Sequence, residues 1–176
     1  MDRVPFRATV ASSLYEDLRL PVTILLHNVR SMYNVGSFFR TGDGAAIEEL
    51  ILSGITARPP HKGVAKTALG AEERVRWRGL DNPLEEIEKL RSTGREIAAI
   101  ETSNRAVDIF EWQPRFPVCV LFGHEVDGLD SPLLEACDTH VRIPMLGLKH
   151  SLNVSSAGAI VMYELLRKYR SLHYPS

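Results

Sequence analysis

Short apolar runs alternating with helical patterns constrain the fold of this chain more than any other feature of it. The runs are VTILL (Val22–Leu26), ELILS (Glu49–Ser53), EIAAI (Glu96–Ile100), VCVLF (Val118–Phe122) and THVRI (Thr139–Ile143), each bounded by turn-formers or a polar break. Such runs interleaved with helices predict an α/β fold whose sheet is mostly parallel, with five or six strands between helices. Asn82-Pro83 followed by LEEIEKLRSTG supplies an N-cap, a proline at the first helical position, acids in the first turn and Gly94 past the end, so a helix is expected there. Ser131-Pro132 opens a shorter helix in the same way. A last helix is expected from about Val154 to Arg170, with apolar residues at 154, 157, 161 and 165. Gly54 to Gly70, with Pro59-Pro60, reads as the longest loop, and the small residues of SSAGA (Ser155–Ala159) allow close packing within the subunit or at a dimer contact.

A chain of 176 residues, 44% hydrophobic, is expected to form one domain over 1–176, with an N-terminal extension at 1–20 and the core at 21–170. Its formal charge of −1 does not announce a polyanion partner, but the charge is unevenly spread. Arg58 to Arg78 carries six cations against Glu72 and Glu73, a net of +4, and Asp81 to Glu101 carries six acids against three bases. The two cysteines, Cys119 and Cys137, do not make a disulfide framework and are expected to be reduced and mostly buried. With neither a signal-peptide core nor an apolar run near the roughly 20 residues of a membrane span, a cytoplasmic protein with no membrane partner is expected.

Polar residues cluster after three of the apolar runs, where ligands bind in open α/β sheets. The first cluster is HNVRSMYNVGSFFRTGDG, with Asn28, Arg30, Asn34 and Arg40; the second is GHEVDGLDSP, with Gly123, His124, Glu125 and Gly128; the third is PMLGLKHSLNVSSAG, with Lys149, His150, Ser151, Asn153 and Ser155. Leu129-Asp130 replaces the Lys-Ser/Thr of a P-loop, and neither a G-x-G-x-x-G nor a G-x-S-x-G occurs. The histidines and cysteines lack metal-ligand spacing, so no metal is expected. Singly, each feature has a plain structural reading: Gly123 and Gly128 shape a turn, and Ser151 or Asn153 caps the last helix. Phe38 and Phe39 read as core. The order in which the clusters co-occur is what carries information.

In these three segments the chain resembles the SPOUT class of RNA methyltransferases, and within it the TrmH-like (SpoU) ribose 2′-O-methyltransferases. The resemblance rests on Asn34, Gly36 and Arg40 in NVGSFFRTGD, on the Gly-x-Glu-x-x-Gly turn FGHEVDGL, and on IPMLGLKHSLNVSSA, and it spans roughly Val22 to Tyr169. It implies a C-terminal trefoil knot, which no periodicity argument would predict because knotted chains are nearly absent from folds in general. It also implies S-adenosylmethionine as cofactor, held largely by main-chain groups near Gly123, Ile143, Met145 and Leu152, with Thr102 at the end of the third strand, and a homodimer that completes its site across the interface. His124 stands where many members carry a smaller or amide residue, and Asn28 where many carry an acid.

On this resemblance Arg40 is the residue aimed at the substrate, acting as a base or as a clamp on phosphate and hydroxyl. Asn34 orients Arg40 or the substrate, and Glu125, Ser151 and Asn153 fix the network around target nucleotide and methyl donor. Arg30, Arg58, Lys62 and Lys66 form the expected RNA-binding surface. The first twenty residues and the short tail are too small for an added RNA-recognition domain, which favours tRNA over rRNA as the expected substrate. The alternatives are a SPOUT enzyme methylating a base, and a knotted RNA-binding module without activity.

Overall fold

The structure, a computed structural model, describes residues 18–173, so the extension expected over 1–20 falls almost wholly outside it. Among these residues seven strands form one sheet: β1 (Leu20–His27), β2 (Ile47–Ser53), β3 (Trp77–Leu80), β4 (Glu96–Ile100), β5 (Val107–Asp108), β6 (Val118–Phe122) and β7 (Thr139–Arg142). Their order is β3-β2-β1-β6-β4-β7-β5, and every pairing is parallel. The two strands beyond the five apolar runs, β3 and β5, are the sheet's edges. Among the described residues five α-helices flank it: α1 (Met32–Ala45), α2 (Lys62–Ala68), α3 (Pro83–Ser92), α4 (Ser131–Glu135) and α5 (Val154–His173).

The expectation of a long loop from Gly54 to Gly70 is corrected by α2, which His61 caps through its side chain and Leu69 closes in a left-handed conformation. The helix is only seven residues long, and four of them are Ala, Gly or Val, so its sequence carries no amphipathic signature. The start of α4 also differs by one residue: Asp130, and not Ser131, accepts from Leu133 N as N-cap. At α3 the expected devices are all present, with Asn82 as N-cap, Pro83 first, and Gly94 at φ 83° beyond the end.

Strand alternation sorts the core onto two faces. Val22, Ile24 and Leu26 of β1, Leu50 and Leu52 of β2, and Val118, Val120 and Phe122 of β6 face α1, α2 and α5. Leu25, Ile51, Cys119 and Leu121 face α3 and α4. Phe38 and Phe39 are fully buried on the first face, Phe38 edge-on to Phe122 at 5.1 Å between ring centroids. A Cβ at Gly158 would stand 2.3 Å from the Phe38 ring, so the glycine of this small-residue stretch is explained by packing of α5 against α1. Burial pushes the thiols of Cys119 and Cys137 above their ordinary pKa, and both cysteines are free.

The register sets Leu26 beside Phe122, Ala99 beside Leu121 and Ile100 beside Val141. The C-terminal ends of β1, β6, β4 and β7 therefore open on one edge. All three polar clusters emerge there.

Candidate active site

After β1 the chain turns sharply. Asn28 takes a left-handed conformation (φ 58°), its amide nitrogen lies 2.9 Å from His27 Nε2, and its Oδ1 accepts from Ile55 N. His27 Nδ1 lies 2.7 Å from Ser53 Oγ, so the residue that departs from the family pattern at position 28 ties the ends of β1 and β2 together. Ser31 then caps α1 by accepting from Asn34 N.

Gly123 and Gly128 bracket the second cluster, closed by paired hydrogen bonds between the backbones of His124 and Gly128. A Cβ at Gly123 would stand 2.3 to 2.5 Å from backbone atoms of Gly128 and Leu129, and Gly128 sits at φ 71°, so each position excludes larger residues for a different reason. This turn aims Glu125 at the N-terminus of α1. Its carboxylate accepts from Arg30 N (3.0 Å), Ser31 N (3.0 Å) and Asn34 Nδ2 (3.1 Å). Partial burial pushes the Glu125 carboxyl up, but these donors and its own backbone N–H outweigh it and hold the group below the usual carboxylate value.

Asn153 joins the third cluster to the other two. It caps α5 by accepting from Ser155 N, Ser155 Oγ and Ser156 N, and its amide donates to Asn34 Oδ1 at 3.2 Å. The chain of bonds from Glu125 to Asn34 to Asn153 thus spans three segments far apart in sequence.

Beside this chain of bonds lies an open cavity of about 330 Å³, within the range of small-molecule sites. Gly123, Ile143, Met145, Leu152 and Thr102, the five residues expected to hold a cofactor, all line it, as do Glu125, Ser151 and Asn153. Asn34 sits behind the wall through its bonds to Glu125 and Asn153. Arg40 is not brought to the cavity: it is exposed on α1, without a hydrogen bond or ion pair among the described residues. Glu101, one residue past β4, lines the cavity too and was not singled out from sequence. An acid at the C-terminal end of a strand was its available signal.

The basic stretch is not one free face. Arg74 pairs with Asp43, Arg76 and Arg78 with Glu49, Arg78 also with Glu86, and Arg58 with Asp81 at 3.4 Å while donating to Leu80 O. Lys66 sits 5.6 Å above the Tyr33 ring. Lys62 and Arg30 keep exposed side chains without ion pairs among the described residues. Among those residues no cluster of His, Cys, Asp and Glu is arranged to hold a metal, and no helix is long and apolar enough to cross a membrane.

A family model described as the SpoU rRNA Methylase family matches residues 21–163. A protein of Staphylococcus saprophyticus assigned to the TrmH family of tRNA/rRNA methyltransferases is 31% identical over 163 residues, covering 93% of this chain and 65% of its own length. The chain thus spans less than two thirds of the length of the first curated relatives it matches. The SpoU methyltransferase AviRb from Streptomyces viridochromogenes, solved with AdoMet, superposes with a TM-score of 0.78 at 25% identity, covering 88% of this chain and 60% of that one. A structure described as giving insight into 2-OH methylation of C/U34 on tRNA superposes at 0.74 and 25% identity, covering 86% of this chain and 96% of that one. With more than half its length matched by one family model, with residues of the second and third motifs lining one cavity and with Asn34 of the first bonded to both behind its wall, the chain belongs to the SpoU rRNA methylase family.

Proposed function

We propose that the protein transfers a methyl group from S-adenosylmethionine to a ribose 2′-hydroxyl of RNA. The observation that carries this reading is the Glu125–Asn34–Asn153 chain of bonds beside a cavity lined by all five residues expected to hold the methyl donor. The residues present fit that donor: the tight turn that Gly123 and Gly128 permit brings main chain to the cavity wall, and Ile143, Met145 and Leu152 supply apolar surface. AviRb, a family relative, binds AdoMet, which supports the assignment. When bound, the donor supplies an electrophilic methyl on sulfur.

The protein's own task is placement. A 2′-hydroxyl is a weak nucleophile, and alignment with stabilisation of charge developing on its oxygen accelerates its attack. Arg40 is an exposed fork of donors with no acceptor, suited to gripping the neighbouring phosphate and donating to the hydroxyl. That role is a clamp, and it leaves the proton to solvent or a neighbouring group. Glu125 and Asn34 hold the start of α1, and Ser151 stands exposed at the cavity rim. Arg30, Lys62 and Lys66 present charge to phosphates; Arg58, pinned to Leu80 and Asp81, contributes less.

Transfer RNA is the favoured substrate, supported by the structural relative of nearly equal extent that is described with 2-OH methylation of tRNA. We assign the C-terminal part to a trefoil knot. After β4 the chain runs to the far edge, returns to β6 between β1 and β4, and crosses again to β7, a path that suits such threading. A homodimer completes the assignment, supported by the exposed Leu146, Leu148 and Val126 beside the cavity.

The test is direct. The protein is incubated with methyl-labelled S-adenosylmethionine and unmodified tRNA or rRNA, and the digested nucleosides are identified. Label on a ribose of tRNA is expected. Label on a base sinks the ribose assignment, and cofactor binding without transfer to any RNA favours an inactive RNA-binding module.

A further inference from the structure

Three carboxylates line the cavity, and two of them are committed. Glu125 spends its oxygens on Arg30, Ser31 and Asn34, and Asp127 lies 2.9 Å from His124 Nδ1 with its side chain 81% exposed. Glu101 is different. Its Oε1 accepts from Thr102 N at 2.8 Å and from Thr102 Oγ1 at 3.4 Å, which fixes the carboxylate. Its Oε2 has no partner among the described residues and lies 2.6 Å from where a Cβ on Gly128 would stand. Glycine at 128 leaves the space that this free oxygen occupies.

We propose that Glu101 binds the vicinal diol of the methyl donor's ribose through Oε2. Ribose hydroxyls are donors, and an ionised carboxylate is an acceptor only, so the pair forms short charge-assisted hydrogen bonds. An acid at the C-terminal end of a strand binds ribose hydroxyls in the same way in dinucleotide-binding α/β folds. Here β4 delivers the acid to the cavity between Gly128 and Thr102, and Ile100, Phe122, Ile143 and Leu152 provide apolar walls for the base. Because Thr102 N already holds Oε1, the carboxylate pays little ordering entropy on binding.

The inference rests on reading the cavity as the methyl donor's site, and is independent of which RNA or which oxygen is methylated. Its test therefore uses no RNA. The 176-residue chain is titrated by calorimetry with S-adenosylmethionine, with S-adenosylhomocysteine, whose sulfur is uncharged, and with the 2′-deoxy form of the latter. The wild type is expected to bind the deoxy form about tenfold more weakly, the loss of one charge-assisted hydrogen bond. Glu101→Gln, nearly isosteric, is expected to bind S-adenosylhomocysteine about tenfold more weakly and to lose the discrimination between the two ligands. Equal binding of both ligands by the wild type overturns the proposal, as does a Glu101→Gln chain that still discriminates. A loss in the variant confined to S-adenosylmethionine also overturns it, since Glu101 would then face the sulfonium. If the wild type binds none of these compounds, the reading of the cavity falls with it, whereas intact binding with no transfer to RNA leaves the Glu101 assignment standing.

Discussion

Glu125 illustrates how a residue that looks catalytic is occupied by its surroundings. Its carboxylate accepts from two main-chain N–H groups and from Asn34, which makes it the anchor of the first turn of α1 and a positioning residue. A carboxyl held below its usual value favours folding above the unfolded-state pKa of about 4.3, and that contribution is lost as pH falls through the folded value. Glu125→Gln should therefore lower the melting temperature at pH 7. The gap between variant and wild type should close as pH falls through the lowered folded-state value, since both then carry a neutral side chain. A gap that persists unchanged into acid would mean the charge is not what anchors α1.

Among the elements, those whose whole length carried one signal were legible in sequence and the short ones were not. The runs at Glu96–Ile100 and Val118–Phe122 are β4 and β6 without change, because both are buried on both faces and need continuous apolar residues. β5 is two residues long and β3 an edge strand without a fully buried residue, so neither carries a pattern to read. The site divides in the same way. Glycines and Asn153 announced themselves by order and spacing, while Glu101 looked like one more acid in an acidic stretch. Asn153 also serves as the cap of α5, the bland alternative, and the two roles separate by substitution. Asn153→Ala should cost about 1 kcal/mol through the lost cap. Asn153→Asp keeps the acceptor and adds charge favourable to a helix N-terminus, so stability should hold while the donor to Asn34 is gone. Methyl transfer should fall in both, and an Asp variant with full turnover would leave Asn153 a cap and nothing more. At the other end of α5, buried Lys168 donates to the carbonyls of Ile109, Phe110 and Trp112 and pairs with Glu164. Burial lowers its pKa, Glu164 opposes that, and Lys168→Met should cost about 2–3 kcal/mol in denaturant unfolding because main-chain carbonyls lose a charged donor.

For the whole molecule, Arg40 poses the decisive question. Six residues separate it from Asn34, which on an α-helix is a rise of about 9 Å and a turn well away from the face that Asn34 presents to Glu125 and Asn153. Arg40 is exposed and does not line the cavity of its own chain, and we propose that a second chain brings the two together. In a two-fold dimer, each site would take its cavity from one subunit and its arginine from the other. Arg40→Ala alone should abolish transfer while leaving S-adenosylhomocysteine affinity unchanged. Co-expressed with a chain whose cavity is blocked at its partly exposed wall, such as Leu152→Trp, the Arg40→Ala chain should regain about a quarter of wild-type activity. Half of randomly paired dimers are mixed, and one of the two sites in each then has both an intact cavity and an intact arginine. If the arginine acted within its own subunit, every site in the mixed dimers would lack one of the two, and the co-expressed pair would be as inactive as either variant alone.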